Sequence, residues 1–227
     1  MTDIGHNWDQ MVYHSNDILV QSFGDKDLAM KYEMMLHALK HDRIIGDTLI
    51  LGMRRAPGSQ RRHHAIEGGL VIHLMEMWRA WAMIRNMIPM RDANITDSLV
   101  WRAILHHDLN KIYRYKQVTK DKDGNALTDW KVDYTDGNED PLGYLLPSTH
   151  KTLGILTHYG IPLSPLLLNA LITAEGGYSQ GPHPKTETVF AKVVYLCDEL
   201  SANVINRLET GRFWDSKEGG LNGDAVL

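Results

Sequence analysis

The chain has 227 residues, 43% of them apolar and 23% charged, the balance of an ordinary globular protein with room for one sizeable core. Its formal net charge of −4 speaks against nucleic-acid binding driven by bulk positive charge, and its single cysteine, Cys197, excludes an intrachain disulfide framework or a cysteine-based zinc site. Apolar runs are short and broken by charge, and the opening MTDIGHNWDQ has neither the basic nor the apolar part of a secretory leader. The expectation is a soluble cytoplasmic protein with no membrane partner.

In chain order, DKDLAMKYEMMLHALKH (25–41) has helical spacing of apolar residues and no proline or glycine. Residues 1–60 therefore read as a helical extension packed on the core. A basic, glycine-containing link, MRRAPGSQRRHH (53–64), with Arg54, Arg55, Arg61 and Arg62, leads into a helix expected over about 65–87. There Ile66, Leu70, Met77, Trp81 and Ile84 keep one face. Thr96 and Asp97 are N-cap candidates for the next helix, LVWRAILHHDLNKIYRY. After it, YKQVTKDKDGNALTDWKVDY alternates around Asp123-Gly124 and predicts a β-hairpin or flap. Helices resume over 148–159 and 164–174, and a glycine- and proline-rich loop, EGGYSQGPHPK, precedes a last helix over about 186–208. Residues 61–210 form the main domain, 211–227 a flexible polar tail, and the fold class is all-α with a small β insertion.

Polar residues fall where apolar ones belong. His73 lies on the stripe of its helix, His107 and Asp108 share a face with Val100 and Ile104, and Asp198 stands in a stripe with Val194, Ala202 and Ile205. A buried carboxylate without compensation is costly, whereas a divalent cation with further ligands offsets its desolvation. Two imidazoles and two carboxylates suit Mn, Fe, Co, Ni or Zn better than Ca or Mg, so a divalent transition metal is expected.

A histidine, then an adjacent His-Asp, then a distant aspartate on a late helix resembles the motif of the HD-domain metal-dependent phosphohydrolases. The segments HHAIEGGLVIHLMEM, ILHHDLNKI and VVYLCDELSANVIN are similar to those of the bacterial 3′-to-5′ exoribonuclease branch, over about residues 60–208. The resemblance implies an HD helical bundle over 61–210 with His73, His107, Asp108 and Asp198 as metal ligands. Two departures stand out. Ala174-Glu175 occupies the place where that branch carries a histidine pair, so one metal is expected, with Glu175 near it. The helical N-terminus leaves no room for the β-barrel that precedes the HD domain in those exoribonucleases.

Compact size without an RNA-binding module is similar to HD enzymes acting on free nucleotides, including small phage-encoded dATP triphosphohydrolases. Lys111, where many of those have glutamate, resembles instead the exoribonuclease and cyclic-dinucleotide phosphodiesterase branches. The leading expectation is hydrolysis of a deoxynucleotide in a bacterium or phage-infected cell. The enzyme would be a deoxynucleoside triphosphate triphosphohydrolase of purine or dATP type, or a 5′-deoxynucleotidase. The alternatives are a 3′-to-5′ exonuclease on short single strands and a non-catalytic nucleotide-binding module. Asp108 would orient a metal-activated water for attack on phosphorus, Lys111 would contact the phosphate, and His64 would protonate the leaving oxygen. Arg61 and Arg62 are candidates for phosphate binding, Glu175 and Tyr178 for the rest of the substrate pocket. Homo-oligomerisation is compatible, since members of the family often dimerise.

Overall fold

A computed structural model describes residues 4–23, 25–45, 48–59, 64–87, 95–120, 126–132, 148–174 and 188–205. Among them the chain is mostly helical, with α1 (Ile4–Phe23), α2 (Lys26–Leu39), α3 (Gly69–Ile84), α4 (Asp97–His107), α5 (Ser148–His158), α6 (Pro165–Ala174) and α7 (Val189–Leu200). Two antiparallel hairpins accompany the helices, β1 (Arg43–Ile45) with β2 (Thr48–Ile50), and β3 (Tyr115–Lys120) with β4 (Ala126–Val132). A 3-10 turn, Leu109–Lys111, follows α4, and a π-helical turn, Ser201–Ile205, extends α7. No helix among the described residues is long and apolar enough to cross a membrane.

Local signals explain several boundaries. Asp25 caps α2 by accepting from the Leu28 amide, and Thr96 and Thr188 cap α4 and α7 in the same way through the amides of Leu99 and Ala191. α3 starts later than its apolar stripe suggests, because Gly68 sits at the N-cap with φ 75° and Ile66, before it, is exposed. α4 ends at His107, so Asp108 and Lys111 lie not on the helix, as the sequence predicts, but on the cap and 3-10 turn beyond it. The N-terminal part is also not purely helical. β-branched Ile44, Ile45, Thr48 and Ile50 flank Gly46-Asp47 in sequence, and their strands pair Arg43 with Ile50 and Ile45 with Thr48. The hairpin expected around residues 115–134 is present, with Tyr115 opposite Val132 and a register shift between Val118 and Lys120.

α4 is the central element, packing against α1, α3, α5, α6 and α7. Burial of Val100, Trp101, Ala103, Ile104 and Leu105 leaves it almost no solvent face. One apolar cluster runs from Trp8 and Met11 on α1 through Tyr32 and Met35 on α2 to Phe190, Val194 and Cys197 on α7, so the N-terminal helices share the core. Such complete burial demands partners for the polar residues of α4. Arg102 donates through Nε to the Tyr32 hydroxyl (3.1 Å) and through Nη2 to the Pro162 carbonyl (2.6 Å). His106 Nε2 lies 2.6 Å from the same hydroxyl, with the two ring planes nearly parallel (4°) and their centroids 5.7 Å apart. Burial, then the Arg102 charge, drives the His106 pKa well below that of a free imidazole, so this ring is a neutral structural member.

Trp101 joins α4 to α1. Fully buried, it meets Trp78 edge-on at 5.2 Å and donates its indole N–H to Ser15 Oγ at 3.2 Å. Trp101→Ala is expected to cost about 3–5 kcal/mol, read from urea unfolding as a lowered midpoint.

Candidate metal centre

Three helices deliver the polar residues to one place. His73 comes from the second turn of α3, His107 is the last residue of α4 with Asp108 just beyond, and Asp198 lies near the end of α7. Their ligand-type atoms converge on His73 Nε2, which stands 3.3 Å from His107 Nε2, 3.1 Å from Asp198 Oδ1 and 3.5 Å from Asp108 Oδ2. His107 Nε2 and Asp108 Oδ2 are 3.2 Å apart. One ligand atom each from His73, His107 and Asp198 fits within 4.8 Å of the others. Donors about 2.1 Å from a common transition-metal ion are themselves about 3.0–3.4 Å apart in octahedral or tetrahedral arrangements, so the spacing fits a cation. The end of α4 at His107 lets two consecutive residues face the same centre, which neighbours on a helix could not do.

Hydrogen-bond directions point the same way. A carbonyl only accepts, so the contact from His107 Nδ1 to Ile104 O (2.7 Å) fixes the proton on Nδ1 and turns Nε2 toward the centre. Ser201 Oγ donates its one proton to Glu76 Oε2 (2.9 Å) and therefore accepts from His73 Nδ1, also at 2.9 Å. His73 thus also presents an unprotonated Nε2. An acceptor behind each ring, taking the N–H of the nitrogen turned away from the centre, is the arrangement that orients metal-bound imidazoles.

Electrostatics concentrates negative charge here. Burial opposes ionisation of Asp108, but the neighbouring His107 and Lys111 charges hold its carboxyl well below the usual range. Burial also opposes Asp198, which His73, when protonated, and the His107 charge bring down to about 2. Burial pushes His73 down despite both carboxylates, whereas at His107 the Asp108 and Asp198 charges outweigh burial and raise the pKa. Two carboxylates thus face one neutral and one basic imidazole, a donor set that a divalent cation balances.

Lys111, on the 3-10 turn past α4, places Nζ 2.6 Å from Asp108 Oδ2, with 17% of its side chain exposed. His64 is buried with its Nε2 2.8 Å from Glu76 Oε2, and its ring centroid lies 5.1 Å from that of His73. Arg61, Arg62, Glu175 and Tyr178 lie outside the described residues. Of the basic link, Arg55 is a fastener, donating to Asp42 (2.5 Å) and Glu67 (2.7 Å). Sequence reasoning missed Glu76 and Ser201, although each stands three residues after a ligand, His73 and Asp198, on the same helical face. Comparisons with protein-family models, curated proteins and solved structures find no match to this chain.

Because the His107 pKa is raised, its Nε2 keeps a proton to higher pH than a free imidazole, and a metal must displace it. Affinity for Mn(II) or Co(II) is therefore expected to fall as pH drops through that value, over a range beginning above about 6.5. Calorimetric titration in buffers of different ionisation enthalpy should show protons released on binding at pH values below the His107 pKa.

Proposed function

We propose that this protein is a metal-dependent phosphohydrolase of the HD type acting on nucleotides in the cytoplasm of a bacterium or phage-infected cell. The observation that carries the reading is the convergence of His73, His107, Asp108 and Asp198 on one centre, with both imidazoles hydrogen-bonded from behind. These four residues would hold one divalent transition metal, of the series Mn, Co, Fe, Ni or Zn. When bound, such an ion supplies a Lewis acid that lowers the pKa of a water and neutralises a phosphoryl oxygen.

The chain's own groups supply the rest. Asp108, ionised and held between His107 and Lys111, accepts a hydrogen bond from the attacking water and orients it. Lys111 meets a phosphate oxygen as a point charge. Arg61 and Arg62, close before His64 in sequence, add charge for further phosphates, and Glu175 and Tyr178 contribute to the substrate pocket. A deoxynucleotide is the preferred substrate, either a deoxynucleoside triphosphate of the purine or dATP kind or a 5′-deoxynucleotide. The helical N-terminal part, built into the common core, supports this choice. Lys111 favours a second reading, a 3′-to-5′ exonuclease on short single strands.

The test is product analysis over all ribo- and deoxynucleotides and a 5′-labelled oligonucleotide, with Mn(II) or Co(II) supplied. Release of phosphate, pyrophosphate or triphosphate from a deoxynucleotide is expected. Laddering of the oligonucleotide without mononucleotide turnover would select the exonuclease, and no turnover with any metal would remove the hydrolase reading. Asp108→Ala should reduce turnover to background and weaken metal binding in the same preparation, and full turnover in that variant would exclude Asp108 from the reaction.

A further inference from the structure

Behind His73 the contact to Ser201 continues into residues to which the proposed hydrolysis gives no role. His73 Nδ1 meets Ser201 Oγ at 2.9 Å, Ser201 Oγ meets Glu76 Oε2 at 2.9 Å, and Glu76 Oε2 meets His64 Nε2 at 2.8 Å. All four residues are almost wholly buried. A buried carboxyl group is expensive unless its oxygens are engaged, and both contacts fall on the same oxygen, Oε2. Ser201 has one proton to give. Donating it to Glu76 leaves Ser201 Oγ to accept from His73, which puts the His73 proton on Nδ1 and frees Nε2 for the centre.

The backbone around His64 is shaped for this purpose. His64 has φ 54°, a left-handed conformation rare for a residue with a side chain, and Gly58 donates its amide to the His64 carbonyl at 2.9 Å. A Cβ on Gly69 would stand 2.0 Å from that carbonyl oxygen, and one on Gly58 would stand 2.7 Å from His64 Cβ. Two side-chain-free positions are thus needed to seat His64 against Glu76. Strain of this kind persists where surrounding structure over-determines it, and it clusters at functional sites.

We propose that Glu76, seated by His64, acts through Ser201 to fix the tautomer and ring orientation of His73. His64, Glu76 and Ser201 are then positioning residues of the candidate metal centre, and His64 is a support within the fold. The inference rests on the metal-site reading and deepens it.

The test uses the full chain, with Co(II) as probe, in wild type, Ser201→Ala and Glu76→Gln. Three readouts are taken: Co(II) affinity and absorption spectrum, thermal unfolding of the metal-free protein, and imidazole nitrogen NMR of the metal-free protein. Wild type is expected to show His73 protonated on Nδ1. Each variant is expected to bind Co(II) about 10- to 100-fold more weakly with an altered spectrum and a mixed His73 tautomer. Ser201→Ala, which removes one buried hydroxyl, is expected to keep a cooperative unfolding transition near that of wild type. If either variant is folded and binds Co(II) as wild type does, with the His73 tautomer unchanged, the positioning role is overturned while the metal site stands. Failure of the wild type itself to bind Co(II) or Mn(II) would overturn both.

Discussion

Two ionised carboxylates held close to one imidazole nitrogen are the constraint on which the rest of this structure depends. Asp108 and Asp198 approach His73 Nε2 to 3.5 and 3.1 Å, and such a cluster survives inside a protein only where positive charge and fixed donors surround it. The fold answers from several sides. α3 contributes His73 and, behind it, Glu76. The end of α4 contributes His107 and Asp108, the following turn adds Lys111, α7 adds Asp198, and the π-helical turn after it adds Ser201. None of these elements owns the site, so the packing of α3, α4 and α7 on one another is what defines its geometry.

α4 carries the heaviest load. It is the most enclosed helix, and its sequence holds an arginine and two histidines that a purely apolar core would not include. Arg102 and His106 share the Tyr32 hydroxyl, and His107 backs onto the Ile104 carbonyl. Satisfied polar groups in a dry interior narrow the arrangements a core can adopt, because any shift leaves a donor or acceptor unmatched. The directional network around α4 therefore complements the apolar packing in fixing where its C-terminal end points.

Much of this was readable from the chain alone, for identifiable reasons. Polar residues at core positions of helical stripes, His73, His107 and Asp198, are conspicuous because the cost of burying them is large, and the structure brings them together with Asp108. Thr96 is a local signal, since a cap is decided within three residues. What escaped was either subtle or long-range. The end of α4 at His107 turns on a single residue's backbone angles at Asp108, and the hairpin of β1 and β2 is only three residues a side. Glu76 and Ser201 are common residues whose meaning comes from a contact across 125 positions, which periodicity does not encode. The arginines of the link look alike in sequence, yet Arg55 is tied down by Asp42 and Glu67.

The two adjacent histidines at the end of α4 have a consequence for how the molecule can be divided. His107 turns to the centre while His106 meets the hydroxyl of Tyr32, a residue of α2, so the helix end is pinned on one side by the N-terminal part and on the other by the ligand cluster. A boundary drawn between the first two helices and the remainder would cut through this joint. Exchange of the N-terminal part for another module, the kind of recombination by which enzymes acquire new targets, would strip from His106 and Arg102 the one hydroxyl they share. Such a swap would have to bring its own aromatic hydroxyl to the same spot.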